Sequence, residues 1–167
     1  MNEMSKTETA AVASASPAPA ATSPIAPEVS GSLAGAFGAG LIAAALGAVL
    51  WAVITVATHM QIGFMAVGVG FVVAWAVRRF GRGTQVAYGV LGGGLALLGC
   101  VAGNLLSACG LFANAQERHL SEVLALVAGN PALGMRLMQA TFHETDLLFY
   151  AIAVYEGYKL ARLPAPR

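Results

Sequence analysis

The fold turns on two runs of sequence that carry almost no charge. Residues 33–77 read LAGAFGAGLIAAALGAVLWAVITVATHMQIGFMAVGVGFVVAWAV, and residues 84–114 read TQVAYGVLGGGLALLGCVAGNLLSACGLFAN. Between them lies one basic patch, Arg78, Arg79 and Arg82, and no acidic residue occurs from Leu33 to Asn114. About 20 consecutive apolar residues cross about 30 Å of hydrocarbon. The two runs therefore predict an integral membrane protein that spends most of its length in the bilayer.

The whole chain agrees. Charged residues make up 10% of it and the mean hydropathy is +0.72, where a soluble domain carries roughly 25% charged residues. Its 167 residues suit one small domain. A formal charge of +1, without a basic stripe interleaved with aromatics, argues against a nucleic-acid partner. Residues 1–31 are rich in Ala, Ser, Thr and Pro, a composition that buries too little apolar surface to offset its ordering entropy. The reading is a disordered cytoplasmic tail. It lacks the apolar stretch of a secretory signal, so the first membrane helix is expected to serve for targeting.

The expected fold class is all-α: a four-helix transmembrane bundle over residues 32–163, with short outer interfacial helices. Spans are expected at about 33–58, 62–80, 85–112 and 142–163, with an outer connector at 113–141. Turns fall at Thr58-His59-Met60-Gln61 and Gly81-Arg82-Gly83. The fourth span has only nine uncharged residues in a row, Leu147 to Tyr155. Its support is a proline-free run from Phe142 to Leu163, with a capping box at Thr141-Phe142-His143-Glu144. Tyr150, Tyr155 and Tyr158 suit interfacial depths, and Lys159 and Arg162 can snorkel outward.

Four spans put both termini on one side, with Lys6, Arg78, Arg79, Arg82, Lys159, Arg162 and Arg167. Arg118 and Arg136 fall on the other. Seven basic residues against two predict a multi-pass protein of the cell (inner) membrane with both termini cytoplasmic. In the connector, Ser121–Val127 and Pro131–Phe142 read as two short helices broken at Gly129-Asn130-Pro131. Asn130 caps the second, and Pro131 takes its first position. Leu133, Leu137 and Ala140 give that helix an apolar face. Asn130-Pro131-Ala132 is also the pore tripeptide of aquaporins, but it occurs once, in a chain too short for two such halves, and capping accounts for it.

Small residues recur four apart: Gly31/Gly35, Ala36/Gly40, Ala43/Gly47, Ala66/Gly70, Gly89/Gly93 and Gly99/Gly103/Ser107. Lipid supplies little hydrophobic drive between helices, so association depends on close backbone approach. The helix-packing candidates are Ala66, Gly70, Gly89, Gly93, Gly99, Gly103 and Ser107. Spacing alone leaves open whether the partner helix is in the same chain or another. Cys100 and Cys109, nine positions apart on one span, cannot bridge and read as small packing residues.

Polar candidates inside the spans are Asn104, Glu156 and Lys159. Glu156 is the one acidic residue well inside a span, and such residues often mark pathways. Lys159 at i+3 offers it a structural partner. Asn104 suits an interhelical hydrogen bond. His59, His119 and His143 fall on the outer side with Glu144 and Asp146. His59, His143 and Asp146 are the nearest approach to a metal set, yet no pair has zinc-motif spacing, and no metal or cofactor is expected. No nucleophile elbow, phosphate loop or zinc-protease motif is present, so no catalytic residues are assigned and the chain is not read as an enzyme.

Three stretches carry a resemblance: residues 61–66 with Gly68 and Gly70, residues 98–106 (LGCVAGNLL), and residues 146–159 (DLLFYAIAVYEGYK). Over residues 35–160 the chain resembles a family of small, uncharacterised bacterial membrane proteins. The resemblance implies a multi-span membrane domain and no particular activity. Two functional classes follow. One is a non-enzymatic helical module that packs with itself or with a partner membrane protein through glycine faces, in contact with membrane lipid. The other is a small oligomeric channel or carrier, with Glu156 and Asn104 lining a polar route.

Overall fold

A computed structural model of the chain describes residues 32–60 and 63–164. The tail, Gly31, Gln61, Ile62 and Arg167, which entered the sequence reading, lie outside the described residues. Six helices follow in order: α1 (Leu33–Thr58), α2 (Met65–Gly81), α3 (Val86–Ala115), α4 (Leu120–Gly129), α5 (Pro131–Thr141) and α6 (Glu144–Ala161). No strand occurs among the described residues.

The helix ends have local causes. Ser32 begins α1, its Oγ accepting from the Gly35 N–H at 3.0 Å. The long helices α1, α2 and α3 are each followed closely by a non-glycine residue in the left-handed region: His59 (φ 54°), Arg82 (φ 53°) and Glu117 (φ 51°). That conformation costs about 1 kcal/mol for an L-residue and satisfies carbonyls that the last turn leaves unpaired. The Arg82 N–H bonds to the Arg78 carbonyl at 3.2 Å, and the Arg118 N–H reaches back to the Ala113 carbonyl at 2.9 Å. Tyr88 lies against Gly81 and Gly83, where an added Cβ would strike its ring. Only glycine on both sides of Arg82 leaves room for it.

The long helices alternate in direction. The start of α1 lies at the end of α2, where a Cβ on Gly35 would sit 3.5 Å from the Phe80 carbonyl. At the other end His59 and Asn114 meet at 3.3 Å. Helix α1 packs on α2 and α3, α6 packs on the opposite flank of the same pair, and α2 touches α3. The backbones of α1 and α6 do not approach each other, so the four form a lozenge with α2 and α3 on its short diagonal. Helices α4 and α5 make a hairpin on the distal part of α3. Val123, Cys109 and Ala113 are buried there, against Leu105, Phe112, Val127 and Leu137.

The side chains are sorted with small residues inside and large ones outside. On α1 the buried positions include Ala36, Gly40, Ala43, Ala44, Ala48 and Ala52. Ile42 and Leu46 are 63% and 66% exposed, while Ala44 and Ala48 are 2% and 1%. Trp51 is the one large side chain that α1 buries completely.

Several boundaries differ from the sequence reading. Only α1 and α3 are long and apolar enough to cross a membrane by themselves, which corrects the expectation of four helices that each pass that test. With 17 and 18 residues, α2 and α6 reach about 26–27 Å at about 1.5 Å per residue, and both carry charges. The second span was expected from residue 62, but Gly63 and Phe64 form a turn first, with the Ala66 N–H on the Gly63 carbonyl at 3.0 Å. Helix α3 runs to Ala115 rather than 112. The capping box at Thr141–Glu144 does not form. Thr141 ends α5, its hydroxyl directed to the Leu137 and Met138 carbonyls, and Phe142 is extended. Helix α6 starts two residues later, where Asp146 Oδ2 accepts from the His143 N–H at 2.9 Å. Asn130 does cap α5, accepting from the Leu133 N–H at 3.4 Å.

Candidate functional site

Polar groups concentrate in two places, one inside the bundle near the α5–α6 corner and one at the arginine-rich end. The inner cluster is built on successive turns. Trp51 and Thr55 lie one turn apart on α1, and Cys100, Asn104 and Ser107 on three turns of α3; residues so spaced share a helix face. All five are buried. Helix α6 adds Tyr150, whose hydroxyl donates to the Cys100 carbonyl at 3.2 Å. The Tyr150 ring meets Trp51 edge-on (6.4 Å, 89°) and Phe142 edge-on (6.1 Å, 79°). Helix α5 adds Thr141, whose hydroxyl lies 3.4 Å from Asn104 Oδ1 and shares its single proton between that oxygen and two α5 carbonyls.

Within the cluster Ser107 donates to the Gly103 carbonyl of its own helix at 2.7 Å, and Cys100 Sγ lies 3.7 Å from the Ala66 carbonyl of α2. Trp51 Nε1 and Thr55 Oγ1 are buried without a hydrogen-bond partner among the described residues. A polar atom so placed weakens the fold by the cost of its desolvation. Asp146 is 3% exposed and closes the first turn of α6 as described above.

The second concentration is the end where α2 and α6 finish and α3 begins. Arg78, Arg79, Arg82, Lys159 and Arg162 belong to it. The expected Glu156–Lys159 pair does not form. Lys159 Nζ lies 5.3 Å over the Tyr155 ring instead, and Glu156 is half-buried and in no ion pair with a described residue. Arg162 stacks on Tyr158 at 5.3 Å and donates from Nη1 to its hydroxyl at 2.9 Å. Cation–π contact outbids the carboxylate here because Tyr155 and Tyr158 lie directly beside the two stems.

The five glycines among the packing candidates each have a defined neighbour. A Cβ on Gly70 would meet the Ala153 backbone at 2.6–3.1 Å, and one on Gly99 would meet Val69 at 2.8 Å. One on Gly103 would meet Trp51 at 3.0 Å. Gly89 lies against Arg162 and Tyr158, and Gly93 against Val154. The closest backbone approach was missed by that spacing: Gly92 on α3 faces Gly157 on α6. Ala66 and Ser107 are buried. Cys100 and Cys109 are both free.

Asn104 and Glu156 are not brought together. Asn104 sits beside Thr141 near the start of α6, whereas Glu156 precedes Gly157. Asn104 also hydrogen-bonds the Tyr150 side chain; from Tyr150 to Glu156 is about 9 Å along α6 at about 1.5 Å per residue, and the Gly70–Ala153 contact lies between. His59 pairs with Asn114, while His119 and His143 precede α4 and α6. No group of three or more His, Cys, Asp or Glu that could hold a metal occurs among the described residues. The sequence reading missed Trp51, Thr55 and Tyr150 as one cluster; the Trp51/Thr55 spacing on an otherwise Ala-lined face was its available signal. No protein-family model, no curated protein and no solved structure matches the chain.

Proposed function

We propose that the chain is a membrane-embedded, non-enzymatic helical module. In this reading α1, α2, α3 and α6 all cross the cell (inner) membrane, both termini are cytoplasmic, and the module packs with a second copy or with a partner membrane protein. The observation that carries it is the sorting of side chains. Most Leu, Ile and Phe and many Val lie on the outside of the bundle, while its inside is mostly Ala and Gly with a few larger residues, such as Trp51, Val73 and Val77, between them. In water such a surface is an association hazard; in lipid it is solvated, and the small residues allow close helix approach. Helix α2 packs between the longer α1 and α3, and α6 packs on α3 and α2; slight bilayer thinning accommodates the length of the two shorter helices.

Most glycines are consumed within the chain, as the contacts of Gly40, Gly70, Gly92, Gly99, Gly103 and Gly110 attest. Gly38, Gly68 and Gly94 face open space, so a partner helix would meet those positions. The channel or carrier reading draws no support from one copy, because Asn104 and Glu156 lie at separate levels with packed contacts between them. The test is purification from native membranes with mild detergent. A stoichiometric partner or a stable homo-oligomer, lost on Gly94→Leu, is expected. Solute flux from the pure protein in liposomes would overturn the reading in favour of a pathway.

A further inference from the structure

The groove between the last turns of α2 and α6 is lined by Phe71, Trp75, Arg78 and Leu160 and encloses about 100 Å³. Arg78 is its only polar lining residue. The side chain is half-buried, and its Nε has no solvent contact and no hydrogen-bond partner. Its guanidinium makes no ion pair and no hydrogen bond with any described residue. An arginine keeps its charge at any physiological pH and presents a planar fork of donors. Burying the Nε–H in an apolar groove without an acceptor is unfavourable, and an anion at the mouth of the groove would supply one.

We propose that this groove binds an anionic phospholipid, its phosphate held by Arg78 and its acyl chain lying along Phe71, Trp75 and Leu160. The inference rests on the membrane reading above. Three observations favour this occupant. Phe71 and Trp75 are exposed and one turn apart, and Arg78 follows three residues on, so an apolar row ends in a cation on one helix face. An amphiphile with its anionic head at the helix end has that same order. Charge favours the anion as well. Among the described residues, Arg78, Arg79, Arg82, Lys159 and Arg162 share this end with one carboxylate, Glu156. A choline headgroup would bring a further cation to it, whereas an anionic headgroup is attracted. Finally, the fork of Arg78 matches a phosphate bidentately.

Among the described residues, Glu156 is the one carboxylate at this end and so the one able to compete. It lies on α6 one turn before Leu160 and makes no ion pair with a described residue.

The test uses the full chain purified in detergent, with phosphatidylglycerol or phosphatidylcholine added as mixed micelles. The expected result is a roughly tenfold preference for phosphatidylglycerol in native mass spectrometry or thermal-shift titration, a size suited to one charge-assisted contact. Arg78→Gln should abolish that preference, while Arg79→Gln, at an exposed position outside the groove, should keep most of it. A second measurement needs no variant at the site. Brominated-chain phosphatidylglycerol should quench Trp75 more than brominated phosphatidylcholine, above the constant signal of buried Trp51. Equal effects of the two lipids, or a preference that survives Arg78→Gln, would overturn the proposal. So would an equal shift from inorganic phosphate alone, and so would a preference that appears only in Glu156→Gln, which would show the carboxylate already occupying Arg78. A chain that stays soluble and folded without detergent would overturn the membrane reading itself, whatever the headgroup result.

Discussion

Substituting Gly70 by alanine adds one methyl group where the structure has no room for it. The new Cβ would lie 2.6 Å from the Ala153 carbonyl oxygen, 2.9 Å from its Cα and 3.1 Å from its carbonyl carbon. All three atoms are backbone, so no rotamer change relieves the contact. Ordinary van der Waals separation requires α2 and α6 to part by several tenths of an ångström to about 1 Å, and packing attraction falls steeply over such a gap. Overpacking of this kind costs about 1–3 kcal/mol. Gly68 supplies the control. It lies two residues earlier on the same helix and has nothing within 4 Å of its Cβ position. Alanine there gains helix propensity, up to about 1 kcal/mol, and no clash. The same chemical change on one helix therefore has opposite expected signs, with a difference of about 2–4 kcal/mol. Reversible unfolding in mixed micelles, or thermal stability in detergent, measures it. A Gly70→Ala protein as stable as Gly68→Ala would refute the claim that α6 packs on α2 through this glycine.

Further outcomes follow from the same geometry. Gly103→Leu must displace the Trp51 ring and the Ala48 backbone, which lie 3.0 and 3.4 Å from its Cβ position, and should lower thermal stability clearly, whereas Gly94→Leu should leave the isolated chain's stability unchanged. Asp146→Ala removes the acceptor for the His143 N–H and should cost about 0.5–2 kcal/mol, with amide exchange rising first in the opening turn of α6. Glu156→Gln and Lys159→Gln break no ion pair among the described residues, so each should shift stability by less than about 0.5 kcal/mol; a large loss in Glu156→Gln alone would show a partner for that carboxylate.

The long apolar elements were legible in the sequence because length and the absence of charge decide them. Helix α1 has the bounds that its uncharged run between Ser32 and His59 suggests, and the break at Asn130-Pro131 carries its own capping chemistry. The start of α6 was not legible. Thr141 and His143 both precede an acidic residue at capping distance, and the choice between them depends on Thr141 being drawn back to α5 and toward Asn104. The pairing of Glu156 was misread for a similar reason: spacing on one helix offers Lys159 a carboxylate and an aromatic ring alike, and the neighbouring tyrosine takes it. Small-residue spacing marked Gly99 and Gly103 as packing candidates but gave no way to tell Gly70, against the α6 backbone, from Gly94, which faces open space. That distinction depends on how the four helices are arranged around α2 and α3.

The central claim is a bundle that crosses the membrane with its arginine-rich end in the cytoplasm. Single cysteines test it most directly, placed at Thr84 in the α2–α3 turn and at Glu122 in α4, with Cys100 and Cys109 replaced by alanine. The account predicts that a membrane-impermeant maleimide labels Glu122→Cys in intact cells and labels Thr84→Cys only after the membrane is permeabilised. Labelling of both positions from the same side, or of Thr84→Cys from outside, would contradict it.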